Sequence, residues 1–276
     1  MRLLTVLTVA SALGLTAGVA NAATVEVKDA VARVVVIPEA RQDIKVEFLT
    51  TNPSLPLQVR SASGKTIVDG DLDRKIKSCH SEGGKARVYV AGVGDIAYED
   101  MPQIVVRMPK DARIEAGGAV FGSVGKTNSL ELSNAGCGDW TVGNVAGKLS
   151  INIAGSGDTH AGSSGQALLR VAGSGDVRTQ AINGALEISV AGSGDVNVTS
   201  IAGPLSVKIA GSGDVNIRAG KASEMEASIA GSGSVDFGGV AGSLNAKIAG
   251  SGDVHVESVT GEVSKAIVGS GNVSVG

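Results

Sequence analysis

The stretch PLSVKIAGSGDVNIRAG, residues Pro204–Gly220, decides the fold of this chain. Before its glycines, the apolar residues Leu205, Val207 and Ile209 alternate with polar ones, and the alternation resumes at Val215. A period of two is the pattern of a β-strand and not of a helix. The stretch therefore predicts two short strands that flank a glycine-rich corner.

The same unit recurs through the C-terminal half of the chain, with successive copies 18 to 20 residues apart. A fixed period of this length is the signature of a repeat architecture. A looser copy of the corner, AGVGDI, stands ahead of the others at Ala91–Ile96. The first glycine of each corner is a predicted structural turn, at Gly136, Gly155, Gly173, Gly192, Gly211, Gly231, Gly250 and Gly269.

A unit of this length made only of strands predicts an all-β chain, folded as a single-stranded, right-handed parallel β-helix with about 19 residues per coil. Equivalent strands of successive coils then stack about 4.8 Å apart. A leucine-rich repeat is excluded because its L-x-x-L-x-L frame is absent, and a left-handed β-helix prefers a hexapeptide period. One predicted inward column is Ile153, Val171, Val190, Ile209, Ile229, Ile248 and Ile267, and a second is Val177, Val196, Val215, Val235, Val254 and Val273.

The corner sequence Gly-Ser-Gly-Asp has a structural interpretation and a chemical alternative. Glycine reaches positive φ at little cost, and Ser and Asp side chains cap turns by accepting hydrogen bonds from nearby backbone amides. The alternative is a calcium-binding ladder that relieves repulsion between stacked carboxylates. Its candidate ligands are Asp139, Asp158, Asp176, Asp195, Asp214 and Asp253. Because Ser234 and Asn272 share that column and replace an anionic ligand poorly, turn capping is favoured and no metal or cofactor is predicted.

The N-terminus predicts an exported protein. Arg2, an apolar run and Ala20-Asn21-Ala22 are typical of a secretory signal peptide that is cleaved after Ala22. No later apolar run is long enough to cross a bilayer, so the protein is expected in the periplasm or at the cell surface. The formal net charge of −3 and the aromatic content of 2% argue against nucleic acid as a partner.

The chain has two cysteines and three histidines that could act as ligands or redox groups. Cys79 and Cys137 are the only two cysteines and form a candidate disulfide, because thiols pair in an oxidising compartment. His160 and His255 share an outward column but stand five coils apart, and His80 has no partner at zinc spacing. The three histidines are therefore interpreted as solvated surface residues.

Two further features could serve binding. Trp140 is either an exposed contact for a sugar or a protein, or a cover for the end of the rod. The outward column beside Ile209 is mixed and weakly basic, and either binds an anionic glycan or is simply solvated; it consists of Asn152, Arg170, Ser189, Lys208, Ser228, Lys247 and Ala266. No break in the repeat offers long loops for a catalytic groove, so no catalytic residue is predicted.

The chain divides into a signal peptide over residues 1–22, an irregular β region over 23–116 and regular repeats over 117–276. The irregular region is expected to form opening coils that cap one end of the rod, within one continuous domain from about 25 to 276. The polar stretch at 69–87 is expected to be a surface loop. At the other end the sequence VSVG leaves an open strand edge, which predicts a homo-oligomer or partner contact there.

The repeated corners also carry a family resemblance. The chain resembles the putative auto-transporter adhesin, head GIN domain family of bacterial exported proteins through AGSGDV at Ala172–Val177, Ala191–Val196, Ala210–Val215 and Ala249–Val254, preceded by VYVAGVGDIAYEDMP at Val88–Pro102. The resemblance covers most of the chain after the predicted signal peptide. It implies a right-handed β-helix similar in shape to pectin lyases, no assigned catalytic residues and a role in adhesion.

These observations predict a non-catalytic, exported β-solenoid that offers a binding or structural surface, with cell adhesion as its role. The expected partner is an envelope protein or a glycan. One alternative is a polysaccharide-active enzyme of pectin-lyase-like shape, and another is a rod stabilised by calcium.

Overall fold

A computed structural model of the chain describes residues 22–82 and 85–276, so the signal peptide predicted for residues 1–22 lies, except for Ala22, outside the described residues. The described chain is all-β, as predicted, with one 3₁₀ turn at Tyr98–Asp100. Within those residues, no helix is long and apolar enough to span a membrane.

The described strands, in chain order, are β1 (Ala23–Glu39), β2 (Lys45–Thr50), β3 (Gln58–Ala62), β4 (Lys65–Asp69), β5 (Ile76–Glu82), β6 (Lys85–Val90), β7 (Gly94–Ala97), β8 (Gln103–Pro109), β9 (Asp111–Val124), β10 (Ser129–Gly136), β11 (Trp140–Val142), β12 (Val145–Ile153), β13 (Thr159–Ala161), β14 (Ser164–Gly173), β15 (Val177–Ile182), β16 (Leu186–Gly192), β17 (Val196–Ala202), β18 (Leu205–Gly211), β19 (Val215–Ile217), β20 (Gly220–Ala222), β21 (Met225–Gly231), β22 (Val235–Ala241), β23 (Leu244–Gly250), β24 (Asp253–Val259), β25 (Val263–Gly269) and β26 (Asn272–Val275).

The repeats form a parallel β-solenoid of about nine turns with about 19 residues per coil, which confirms the predicted fold class. Each strand pairs with its equivalent in the next coil: β16 pairs with β18 from Leu186↔Leu205 through Gly192↔Gly211. The predicted inward columns are the observed ones, since Ile209 aligns with Val190 and with Ile229.

The columns build the core. Val207, Ile217 and Phe237 are fully buried, and each such apolar side chain contributes about 1.5–3 kcal/mol by leaving water. Trp140 also lies inside, 1% exposed, in the column that continues through Thr159. This corrects both expectations for it, a surface contact and a cover for the rod end. The indole fits because its neighbour in the previous coil is Gly122, where a Cβ would overlap the indole ring.

The corner glycines are required by the close stacking of coils. A Cβ at Gly211 would overlap the carbonyl oxygen of Gly192 in the previous coil, and Gly211 also has a φ of 139°. Side chains rarely adopt that backbone conformation. Gly118 forms an earlier corner of the stack, ahead of the predicted ones. A Cβ at Gly136 would overlap its carbonyl oxygen.

In the N-terminal region the order of strands in the stack differs from their order in the chain. β1 is itself a coil: it pairs in parallel with β9 on one side and with β4 and β8 on the other. β2 and β3 then pair antiparallel with β8 and β4 and cover that end of the stack. The regular stacking also crosses the predicted boundary at 116/117, because β9 runs from Asp111 to Val124.

The segment between β4 and β8 carries a separate three-stranded antiparallel sheet, β5-β6-β7. The polar stretch at 69–87 is therefore not merely a surface loop, since it includes β5 and the start of β6. The looser copy AGVGDI is wrong as a corner of the repeat, because it forms the turn between β6 and β7. Its glycines turn a hairpin, with φ of 83° at Gly92 and 109° at Gly94.

This small sheet packs on the outside of the first coils through a second hydrophobic cluster. Val31, Ala119 and Phe121 point outward from β1 and β9 and are covered by residues of the sheet such as Val88. A disulfide joins Cys79 of β5 to Cys137 in a corner, with the Cα atoms 6.1 Å apart. Sheet and solenoid are thus held together by apolar contact and by a covalent link.

The last coil has a neighbour on one side only among the described residues. β25 pairs with β23, and its residues are exposed, including Ile267 in the inward column. Lys265 occupies another inward position, aligned with Ala246, and its Nζ donates to the carbonyl oxygen of Val273 at 2.7 Å. An inward-pointing charge disfavours pairing at a sheet edge. Association of two copies through this edge stays a prediction.

Candidate functional site

The column of aspartates runs along the corner edge of the solenoid. Asp195 Oδ1 accepts the backbone N–H of Asp214 in the next coil at 2.9 Å, and Asp214 Oδ1 accepts that of Ser234 at 2.8 Å. The same bond links Asp139 to Asp158, Asp158 to Asp176, Asp176 to Asp195 and Asp253 to Asn272. Each carboxylate therefore satisfies one backbone donor of the neighbouring coil.

This ladder corrects the predicted role of the aspartates. The acceptor does not cap its own turn; it bonds a residue 18 to 20 positions further along the chain. Ser234 and Asn272 fit the column because each presents the N–H that the preceding carboxylate binds. The bond satisfies a donor at the corner, where a buried and unpaired amide would be costly.

Among the described residues, the second oxygen of most of these carboxylates has no protein partner. Asp176 is an exception, since its Oδ2 pairs with Arg178 at 3.1 Å. Within residues 22–82 and 85–276, no three His, Cys, Asp or Glu side chains are grouped as a metal site. Calcium binding by the column therefore remains an untested alternative.

Asp139 differs from the rest of the ladder in its electrostatics. Loss of solvent around its carboxyl raises the pKa, and repulsion from Asp158 adds to the rise. The hydrogen bond from the Asp158 amide and the proximity of His160 oppose it. Partial burial therefore disfavours the ionised form of Asp139 in the folded protein.

A second outward column lies beside the ladder and is polar throughout. It consists of Thr141, His160, Arg178, Asn197, Asn216, Asp236, His255 and Ser274, which align in the register of successive strands. The column spans about 34 Å at about 4.8 Å per coil. We call the aspartate ladder and this column together the polar face. Asn197 and Asn216, at its centre, have no hydrogen-bond partner for their side-chain amides among the described residues.

The polar face runs into a cleft of about 470 Å³ where the small sheet meets the solenoid. The solenoid supplies one side of this cleft and the small sheet with its 3₁₀ turn supplies the other. Its principal polar and aromatic lining residues are Arg33, Lys85, Tyr98, Glu99, Asp139 and Thr141. A volume of this size is within the range of small-ligand sites in proteins.

Tyr98 is held in place at this cleft. Its ring meets the Phe121 ring edge to face, with centroids 5.6 Å apart, and the Arg33 guanidinium lies 5.3 Å from its centroid. Arg33 is anchored in turn, since it donates to the carbonyl oxygens of Met101 at 3.3 Å and Glu99 at 3.4 Å. The ring is nevertheless 38% exposed, and its hydroxyl has no partner among the described residues.

Lys85 and Glu99 form an ion pair of 2.6 Å at the rim. Each partner shifts the other: the pKa of Lys85 is raised and that of Glu99 lowered, chiefly by this hydrogen bond. Both side chains are largely exposed, so the pair contributes little to stability. Because its two charges cancel, the pair adds no net charge to the cleft.

Sequence reasoning did not find this cleft. Its residues come mainly from β1, β6, the 3₁₀ turn, β9 and the corner before β11, and these segments are distant in the sequence. Only the scarcity of aromatic residues could have pointed to it. The chain has two tyrosines and three phenylalanines, and Tyr98 and Phe121 meet at this cleft.

The remaining predicted features lie elsewhere. The weakly basic column with Arg170, Lys208 and Lys247 is on a different side of the coil, before the corner, and these three side chains are exposed. His80 lies 3.7 Å from Asp95 in the small sheet. His160 and His255 are in one column, as predicted, and are separated by the coils of Arg178 through Asp236.

Comparison with known proteins identifies a similar solved structure and a matching family. The chain resembles the crystal structure of a putative adhesin from Parabacteroides distasonis, with a TM-score of 0.52 and 15% identity over 94% of each chain. At that identity the likeness concerns the fold alone. No curated protein matches the sequence. Residues 178–276 match the family described as "Putative auto-transporter adhesin, head GIN domain", so the resemblance read from the repeated corners is confirmed over that part of the chain.

Proposed function

We propose that the protein is an exported, non-catalytic binding protein that acts in adhesion and binds an extended partner along the polar face. The observation that supports this most is a fixed carboxylate ladder beside a column of polar side chains, in which Asn197 and Asn216 have no side-chain hydrogen-bond partner among the described residues. Each ladder aspartate uses Oδ1 inside the protein, which holds the other oxygen at a regular position on the surface. The description of the matched family and of the solved relative as adhesins supports this role.

The regular repeat of polar groups along the polar face is suited to binding a polymer. Donors and acceptors recur about every 4.8 Å along the rod, so a long partner can bind many weak contacts at once. Solenoids offer such extended surfaces because each coil repeats the same geometry. The rigidity of the stack limits the entropy that ordering the surface would cost on binding.

The test measures binding of the immobilised protein to isolated bacterial envelopes. Asn197→Ala with Asn216→Ala removes two amides from the centre of the polar face. Lys208→Ala with Lys247→Ala is the matched control on the other side of the coil. We expect the asparagine variant to weaken binding about tenfold, as loss of one to two net hydrogen bonds implies, and the lysine variant to leave it within about twofold.

Equal effects of the two double variants, or no binding to envelopes, would refute the proposal. A reducing-end assay on any captured polysaccharide separates binding from hydrolysis. New reducing ends that appear with the wild-type protein would replace the proposal by the enzymatic alternative.

A further inference from the structure

We infer that the cleft between the small sheet and the solenoid binds one end of a neutral glycan, whose following sugars lie along the polar face. This assignment rests on the proposed function, because it names the ligand class and places one subsite on that same face.

The charged side chains that line the cleft balance one another. Lys85 and Glu99 cancel in their ion pair. Arg33 contributes one positive charge and Asp139 one negative charge. The lining therefore carries no net charge, which favours a neutral polar ligand over a sulfated or carboxylated one. The polar face beyond the cleft is acidic, because it carries the ladder aspartates and Asp236 against Arg178. That charge also disfavours a sulfated or carboxylated ligand.

The ring of Tyr98 lines the cleft. A tyrosine has an apolar ring face and a polar hydroxyl at its tip. A pyranose sugar matches both, because its C–H face is apolar and its edge carries hydroxyl groups. Phe121 and Arg33 hold the ring in position, so binding does not have to order it. In the described part of the chain its hydroxyl has no protein partner, so it can donate to or accept from a sugar hydroxyl.

The carboxylate of Asp139 also lines the cleft. Its Oδ1 is occupied by the amide of Asp158, while Oδ2 has no partner among the described residues. Asp139 stays accessible to a ligand, and partial burial of its carboxyl is the main cause of its raised pKa. A sugar hydroxyl that donates to Oδ2 would supply a charge-assisted hydrogen bond.

The cleft is continuous with the polar column. Thr141 lines the cleft and is also the first residue of the polar column, directly followed by His160 in the next coil. A glycan end seated in the cleft can therefore extend along the rod without a change of direction. On the other side of Thr141 the register leads to Ser123, which also lines the cleft. The cleft therefore lies at the N-terminal end of the polar column, and we assign it as the terminal subsite.

The experiment uses the two tyrosines of the chain, labelled with carbon-13 in their rings. Tyr98 lies in the cleft, while Tyr89 is 46% exposed on β6 and does not line it. The probes are four neutral hexaoses (maltohexaose, cellohexaose, laminarihexaose and chitohexaose) and one acidic hexaose of galacturonic acid, each at about 1 mM, the weak end of specific affinities. We expect at least one neutral hexaose to shift the Tyr98 ring signals and to leave those of Tyr89 in place.

Variants then test the named contacts by calorimetric titration with the hexaose that binds. Tyr98→Ala and Asp139→Asn should each weaken binding about tenfold, and Asp139→Asn keeps the acceptor for the Asp158 amide. Tyr98→Phe removes only the hydroxyl and should cost less than Tyr98→Ala. Tyr89→Ala is the control and should change affinity by less than about twofold. Unchanged Tyr89 signals in the Tyr98 variants show that the small sheet remains folded.

Three results would overturn the inference. Binding of the galacturonate probe alone would contradict the charge argument. Hexaose binding that survives Tyr98→Ala and Asp139→Asn but fails in the Asn197 and Asn216 double variant would place the ligand on the face and not in the cleft. No shift of Tyr98 with any hexaose would reject the cleft as a glycan site, and envelope binding measured beside it would show whether the proposed function stands.

Discussion

Replacement of Gly211 by alanine tests the reason for the repeated corner. Two separate costs arise at this residue. The backbone φ of 139° is a conformation that side chains rarely adopt, and the new Cβ would overlap the carbonyl oxygen of Gly192. Two other glycines separate these costs. Gly64 has a φ of 76° with nothing within 4 Å of an added Cβ, whereas a Cβ at Gly213 would overlap the Gly194 carbonyl oxygen without a positive φ.

The magnitudes follow from these geometries. Gly64→Ala should lower the free energy of unfolding by about 1 kcal/mol through backbone strain alone. Gly213→Ala should lower it by about 2 kcal/mol, because the coils must shift apart to relieve the overlap. Gly211→Ala combines both and should lower it by about 3 kcal/mol, or about 6–12 °C in Tm for a chain of this size.

The assay is equilibrium unfolding in guanidinium, with Tm from calorimetry as a second measure. Ser212→Ala is the control, because it lies at the same corner, is exposed and makes no side-chain hydrogen bond in the described structure. A Gly211→Ala variant as stable as Gly64→Ala would refute the reasoning, since the overlap between coils would then carry no cost.

Four further outcomes are expected. Asp195→Ala should lower the free energy of unfolding by about 1–2 kcal/mol, because the next coil's amide loses its acceptor, and Asp195→Asn should restore most of it in the same denaturation assay. Asp139→Asn should be more stable than wild type at pH 7, because the folded protein disfavours the ionised carboxyl; the difference should vanish below pH 3.8, its ordinary pKa, where the carboxyl is protonated in both states. Joint replacement of Cys79 and Cys137 by serine should cost up to about 4 kcal/mol for a separation of 58 residues, and a calorimetric Tm that does not fall would argue against that link. A chelator should leave the Tm of the wild-type protein unchanged, and a fall would favour the calcium-stabilised rod.

The sequence was most informative where the fold is local and periodic. Alternation around Ile209 and the spacing of the corner glycines suffice to predict strands, the length of a coil and the inward columns. This works because each coil contacts mainly its two neighbours, so one unit and its period carry the information for the stack.

The predictions were wrong where one local sequence pattern is compatible with two different structures. The glycine pattern of the hairpin turn at Ala91–Ile96 resembles that of a solenoid corner, because both turns use glycine at positive φ. The aspartates were assigned to their own turns because an Asx cap and a bond to the next coil need the same short acceptor. Trp140 could not be placed without the knowledge that Gly122 faces it from the previous coil.

The sequence by itself determined the parallel stack, because an apolar residue at every second position and a glycine every 18 to 20 residues admit few other arrangements. Only the tertiary structure decided the cleft. Arg33, Tyr98 and Asp139 stand far apart in the chain, and they meet because β1 lies between strands that follow it by tens of residues and because the small sheet folds back over the first coils. Such contacts depend on packing between distant segments, which no local period records.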